Sequence, residues 1–161
     1  MKINEECIRD IITYLAENLI IKKDYDDKYK YETISVYMLN KNFQSKYAIQ
    51  DIIYSVKILN ECGYIRGENL SKLNDIDIKF QDIQDITYLG NRFYESIQPE
   101  TVWEKTKGIV GKIGNYSLEF IESTAKEVAV EMAKQAVSIS MTGRSSPTIK
   151  RISYKKGELQ A

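Results

Sequence analysis

The chain of 161 residues contains no histidine. That removes the commonest general base, the usual metal ligand and every Ser-His or Cys-His nucleophilic pair. Cysteine is scarce: Cys7 and Cys62 show no CxxC spacing, whereas a zinc site needs about four ligands. Each lies among apolar residues at helical spacing, so both are expected as buried free thiols. Neither a GxxxxGK[ST] phosphate loop nor a GxGxxG turn occurs. Asp24, Asp26 and Asp27 lack the glycine and terminal glutamate of a calcium loop. Carboxylates are plentiful, but no spacing marks two as a catalytic pair. No apolar run approaches the roughly 18 residues needed to span a bilayer. The opening Met1-Lys2-Ile3-Asn4-Glu5-Glu6 lacks the basic-then-apolar layout of a secretion signal. The expectation is a cytoplasmic, non-enzymatic protein without metal, cofactor or membrane contact.

Hydrophobic residues at 43% and charged residues at 29% allow a buried core with a solvated surface. The net charge of zero hides an asymmetry. Residues 1–98 carry 13 Lys/Arg against 16 Asp/Glu, and residues 99–161 carry 10 against 7. In residues 142–161, Arg144, Lys150, Arg151, Lys155 and Lys156 stand against Glu158 alone. Such a split points to a partner with an opposite face.

Periodicity predicts a helix over 5–19, with Ile8, Ile11, Ile12, Leu15 and Leu19 in one stripe and Asn4 as its cap. Residues 22–30 read as a solvated loop. Residues 31–39 alternate Ile34, Val36 and Met38 with polar or exposed neighbours, the pattern of a strand. Ser45 caps a predicted helix over 46–62, buried through Ile49, Ile52, Ile53, Val56 and Leu59 and stopped by Gly63. Short strands are expected at 64–66 and 86–88. The long connection 67–85 between them is expected to hold a strand at 75–80, where Asp75-Ile76-Asp77-Ile78-Lys79-Phe80 alternates. A short helix over 89–97 ends at Pro99, and another begins near Glu100. Gly108, Gly111 and Gly114 imply a helix break or a close backbone contact. This order gives an α+β, winged-helix-like head over 1–98. A helical appendage over 99–141 and a basic polar tail over 142–161 follow, the tail either disordered or an arm for a partner.

The run Ile86-Thr87-Tyr88-Leu89-Gly90-Asn91-Arg92-Phe93, followed by Thr101-Val102-Trp103-Glu104-Lys105-Thr106-Lys107, resembles the phage- and prophage-associated family called domain of unknown function 2513. Tyr54 through Ile65 resembles its second signature and Ile8-Arg9-Asp10-Ile11 its start, so the likeness covers roughly residues 3–140. The family carries histidine where this chain has Ser55 and Asn91, and tryptophan where it has Tyr88; roles of those histidines do not carry over. The resemblance implies a winged-helix-like head and a mobile-element origin, and it implies no activity.

Three candidate surfaces follow. The outward line of the helix over 46–62, Tyr47, Gln50, Tyr54, Lys57 and Glu61, occupies the position of a recognition helix. It offers one cation and one anion, and Asp75, Asp77, Asp82 and Asp85 surround Lys79 in the following connection; duplex DNA is bound largely by neutralising phosphates. Arg144, Lys150, Arg151, Lys155 and Lys156 form a candidate basic arm. Leu118, Ile121, Ala125, Val128, Met132 and Ile139 form a heptad seam that either pairs with a second copy or lies back on the head. Trp103 reads as the staple of the appendage. The partner is a nucleic acid or a protein, with homodimerisation through 118–139 as one form of the latter. The function expected is a regulatory or interaction module, with a protein-binding effector against a host factor as the alternative.

Overall fold

The computed structural model describes residues 1–70 and 77–143. Two compact units divide the chain, Met1–Ala129 and Val130–Ala161. In the first, α1 (Glu5–Asn18) follows from its stripe: Cys7, Ile8, Ile11, Ile12 and Leu15 are buried. Asn4 caps it, its side chain accepting from the Cys7 N–H at 3.1 Å. Glu5 and Glu6 complement the helix dipole in the first turn.

The expected loop over 22–30 is instead an antiparallel hairpin. β1 (Ile21–Lys23) pairs with β2 (Tyr29–Tyr31), joining Ile21 to Tyr31 and Lys23 to Tyr29. Asp27 adopts a left-handed conformation in the turn, at φ 59°. The expected strand over 31–39 also changes. Tyr31 ends β2, only Ile34–Ser35 forms β3, and α2 (Val36–Phe43) takes over from Val36. Ser35 caps α2, accepting from the Met38 N–H at 3.2 Å. The buried positions Ile34, Val36 and Leu39 straddle the junction, so a period of two passes into a period of three within one apolar run.

α3 covers Ile49–Glu61 and starts later than expected; Ala48 stands at its N-cap, without a side-chain bond, in place of Ser45. Ile52, Ser55, Val56 and Leu59 are buried, while Ile49 and Ile53 are half-buried. Gly63, at φ 72°, turns the chain into β4 (Ile65–Glu68). β5 (Asp82–Ile86) returns beside it, and the sheet order is β3-β5-β4, all antiparallel. Of the strand expected at 75–80, Ile78–Phe80 is a 3-10 turn capped by Asp77; Asp75 and Ile76 lie outside the described residues. Thr87 then caps α4 (Tyr88–Ile97).

α5 spans Glu100–Ile113 and passes through Gly108 and Gly111 without a break; apart from the helix's own backbone and the adjoining residues, no atom of the described residues lies within 4 Å of a Cβ built at either. The helix ends at Gly114, in the left-handed conformation at φ 77°. α6 (Leu118–Thr142) is the longest element. The core lies where α1 packs on α3 and α4, and α2 on α3. The class is mixed α+β, with two small antiparallel sheets and a long C-terminal helix among the described residues. No helix among the described residues is long and apolar enough to cross a membrane.

Candidate interaction surface

The signature segments meet one another in the interior. Arg9 donates from Nε to Ile97 O at 3.1 Å and from Nη2 to Gln98 O at 2.9 Å, satisfying the last carbonyls of α4. It also pairs with Glu100 at 2.9 Å and lies 5.2 Å from the Trp103 ring centroid. Trp103 is 1% exposed, and its indole N–H donates to Glu6 Oε1 at 3.2 Å. Lys107 joins the same group through Glu6 and, at 2.8 Å, Glu104. These hydrogen bonds raise the Lys107 pKa and lower that of Glu104. Trp103 thus fastens α5 onto α1. The Tyr54–Ile65 signature and the run that begins at Ile86 meet at Thr87, whose hydroxyl donates to Gly63 O and whose N–H donates to Tyr64 O at 3.0 Å. Ser55, where the family carries histidine, is buried and hydrogen-bonded to Cys7; Asn91 donates to Ile86 O at 3.4 Å.

The line Tyr47, Gln50, Tyr54, Lys57 and Glu61 is not one surface. Tyr47 precedes α3 and is buried; its hydroxyl donates to Asp10 Oδ2 at 2.7 Å. Burial first, and this hydrogen bond second, raise its pKa. Lys46 reaches the same carboxylate at 2.6 Å, and that bond raises the lysine pKa. Gln50 and Glu61 are exposed, and Lys57 is tied to Glu61 at 3.7 Å. Tyr54 lines a cavity of about 690 Å³ with Met1, Lys2, Ile3, Glu5, Gly114, Tyr116 and Ser117. The N-terminus and the α5–α6 turn therefore flank this part of α3.

The surface that sequence reasoning missed is the β1–β2 hairpin. Cross-strand partners share a face, so Ile21 and Tyr31 lie together with Lys23 and Tyr29. Ile21 is 60% exposed, Tyr29 73% and Tyr31 53%, and Tyr25 stands free in the turn. The hairpin neutralises most of its own charge: Lys22 pairs with Glu32 at 2.7 Å, Lys23 with Asp27 at 2.8 Å, and Lys30 with Asp24. The Lys30 bond lowers the Asp24 pKa. The signal in the sequence was Ile20-Ile21 and Tyr29-Lys30-Tyr31 on either side of an aspartate-rich turn.

The seam divides. Leu118, Ile121, Ala125 and Val128 are buried. Met132 is half-buried and Ile139 is 69% exposed. Near the start of α6, Glu122 accepts from the Tyr64 hydroxyl at 3.2 Å and pairs with Arg92 at 3.4 Å. In the acidic connection, Asp82 and Asp85 sit in β5 and Lys79 lies 5.5 Å from the Tyr37 ring centroid. Cys7 is buried as expected, whereas Cys62 is only half-buried because it sits at the C-cap of α3. No group of three or more cysteine and carboxylate side chains among the described residues is placed to hold a metal. Arg144, Lys150, Arg151, Lys155 and Lys156 lie outside the described residues.

Over residues 2–116 the chain matches the family described as Hypothetical protein (DUF2513). No curated protein and no solved structure matches it. The matched span contains the Arg9–Trp103 junction and the Thr87–Gly63 contact, the two places where the signature segments come together. On that match the chain belongs to the DUF2513 family.

Proposed function

We propose that the chain is a non-catalytic regulatory module of a phage or mobile element, built on a winged-helix-like scaffold, that binds a partner protein through its β1–β2 hairpin. The scaffold reading is supported by the order α1-β3-α2-α3-β4-β5, with the β1–β2 hairpin inserted after α1, and by the sheet order β3-β5-β4. In it α3 takes the recognition-helix position, and β4 and β5 are the two strands that flank the wing. The phage origin rests on the family resemblance.

The observation that carries the protein reading is the exposed face of Ile21, Tyr29 and Tyr31 beside lysines already paired with aspartate or glutamate. Exposed aromatic rings beside mostly neutralised charge, with only Lys28 and Asp26 of the turn outside the ion pairs among the described residues, suit a desolvated protein interface. They suit a phosphate backbone poorly, since affinity there follows unpaired cations. α3 adds only Lys57, held by Glu61. A nucleic-acid role would draw on the basic arm, and self-association on half-buried Met132 and exposed Ile139.

The test is capture from nuclease-treated host lysate on immobilised full-length chain. A protein retained by the wild type and by Lys57→Ala, and lost with Tyr29→Ser/Tyr31→Ser, is the expected result. Capture that vanishes with nuclease, or that follows Lys57 rather than the tyrosines, overturns the reading.

A further inference from the structure

Beside the hairpin lies an open groove of about 360 Å³, lined by Tyr14, Glu17, Asn18, Ile20, Glu32, Thr33, Ile34 and Met38. These residues come from the last turn of α1, the base of the hairpin, β3 and the start of α2. Its apolar part is uneven: Ile34 is buried, while Ile20 and Met38 are each 44% exposed. Two carboxylates line it and no cation does. Glu32 is bound by Lys22 at 2.7 Å, but Glu17 is exposed and has no ion-pair partner among the described residues. Such a lining repels phosphate and disfavours acidic peptides. A bare small cation would gain nothing from Ile20 and Met38. Both halves of the groove are matched by a side chain with an apolar stem and a cationic head, which lays carbon on the apolar surface and charge at the rim. The groove runs along residues 32–34, and β3 ends its sheet, so an extended segment fits better than a helix.

We propose that this groove takes an arginine or lysine side chain, with its apolar neighbour, from an extended segment of the partner protein. This rests on the reading of the hairpin as a protein-binding surface and names the chemistry of what it binds. Glu17 supplies the unpaired charge, Met38 and Ile20 the apolar contact, and the Tyr29–Tyr31 face a separate and less selective area.

The test is fluorescence anisotropy of a short labelled peptide alternating arginine with valine, titrated with the full chain at low and high salt. Binding is expected to weaken with salt and to fall about threefold to fivefold in Glu17→Gln, the loss of one solvent-exposed charge pair. It should disappear in Glu17→Lys, and an alternating glutamate–valine peptide should not bind. Circular dichroism on each variant shows that the fold is retained, as expected for substitution of an exposed residue. Equal binding by Glu17→Lys, or by the acidic peptide, overturns the proposal. Failure here, with tyrosine-dependent capture from lysate intact, removes the groove alone. Loss of that capture removes the hairpin reading as well.

Discussion

Gly90 packs directly against Tyr64: a Cβ at position 90 would overlap the Tyr64 carbonyl oxygen and come within 2.7 Å of Ile86 Cγ2. The contact seats the first turn of α4 on the bend between α3 and β4. It is made by backbone, which cannot swing aside. Gly90→Ala should therefore destabilise the protein by about 2 kcal/mol or more, despite alanine's better helix propensity. Thr87→Val removes both the cap bond to the Gly90 N–H and the bond to Gly63 O, and should cost about 1–2 kcal/mol. Urea unfolding of each variant measures both.

Trp103 is expected to be the largest single contributor to the α1–α5 junction. Trp103→Ala should cost roughly 3–5 kcal/mol. Glu6→Gln keeps an oxygen for the indole N–H and should cost much less. Equal losses in the two variants would show that the Glu6 charge, rather than ring burial, holds the junction.

Gln81 is fully buried, and neither side-chain polar atom has a hydrogen-bond partner among the described residues. An unsatisfied buried amide costs about 1–3 kcal/mol. Gln81→Met keeps length and roughly keeps volume while removing that cost, so the midpoint of denaturation should rise. A fall would mean that the amide is satisfied in solution.

The two halves of the α6 seam should separate in a mutant pair. Val128→Asp places a carboxylate at a buried position and should destabilise the protein by roughly 3 kcal/mol or more. Ile139→Asp changes an exposed side chain and should leave the melting temperature of the monomeric chain nearly unchanged. Light scattering of Ile139→Asp beside the wild type then reports self-association without the complication of unfolding.

Thiol chemistry gives a pH-dependent test. Burial pushes the Cys7 thiol up to about 11 from an ordinary 9.0, and burial with nearby Glu119 and Glu61 also raises Cys62. Only the thiolate reacts, and a raised pKa means less thiolate at any pH below it. Native labelling with a disulfide reagent near pH 8 should be slow at Cys62 and negligible at Cys7. The Cys62 rate should climb as pH rises. Both thiols should react at once in denaturant, and rapid native labelling of Cys7 would contradict its burial.

Periodicity located α1 and α3, since a stripe at three- and four-residue steps needs only a core on one side. Gly63 and Pro99 marked their turns through backbone geometry alone, and the absence of histidine bounded the chemistry before any coordinates. The signature segments, from Ile8-Arg9-Asp10-Ile11 to the threonine–valine–tryptophan run, were legible as a pattern. That Arg9 and Trp103 stack, or that Thr87 reaches Gly63, was not, because these contacts join residues far apart in sequence. Residues 36–39 of the expected strand went to a helix because Val36 and Leu39 bury against neighbours that local propensity does not see. The hairpin was lost for the converse reason: strands of three exposed residues have no buried face to print an alternation. Tyr47 left the predicted face because a hydrogen bond to Asp10 on another helix drew it inward. What the sequence determined by itself was local: stripe, cap, turn and composition. Which of those faces were covered, and which were left as surface, was decided only by tertiary packing, because burial is a property of the neighbours and not of the residue.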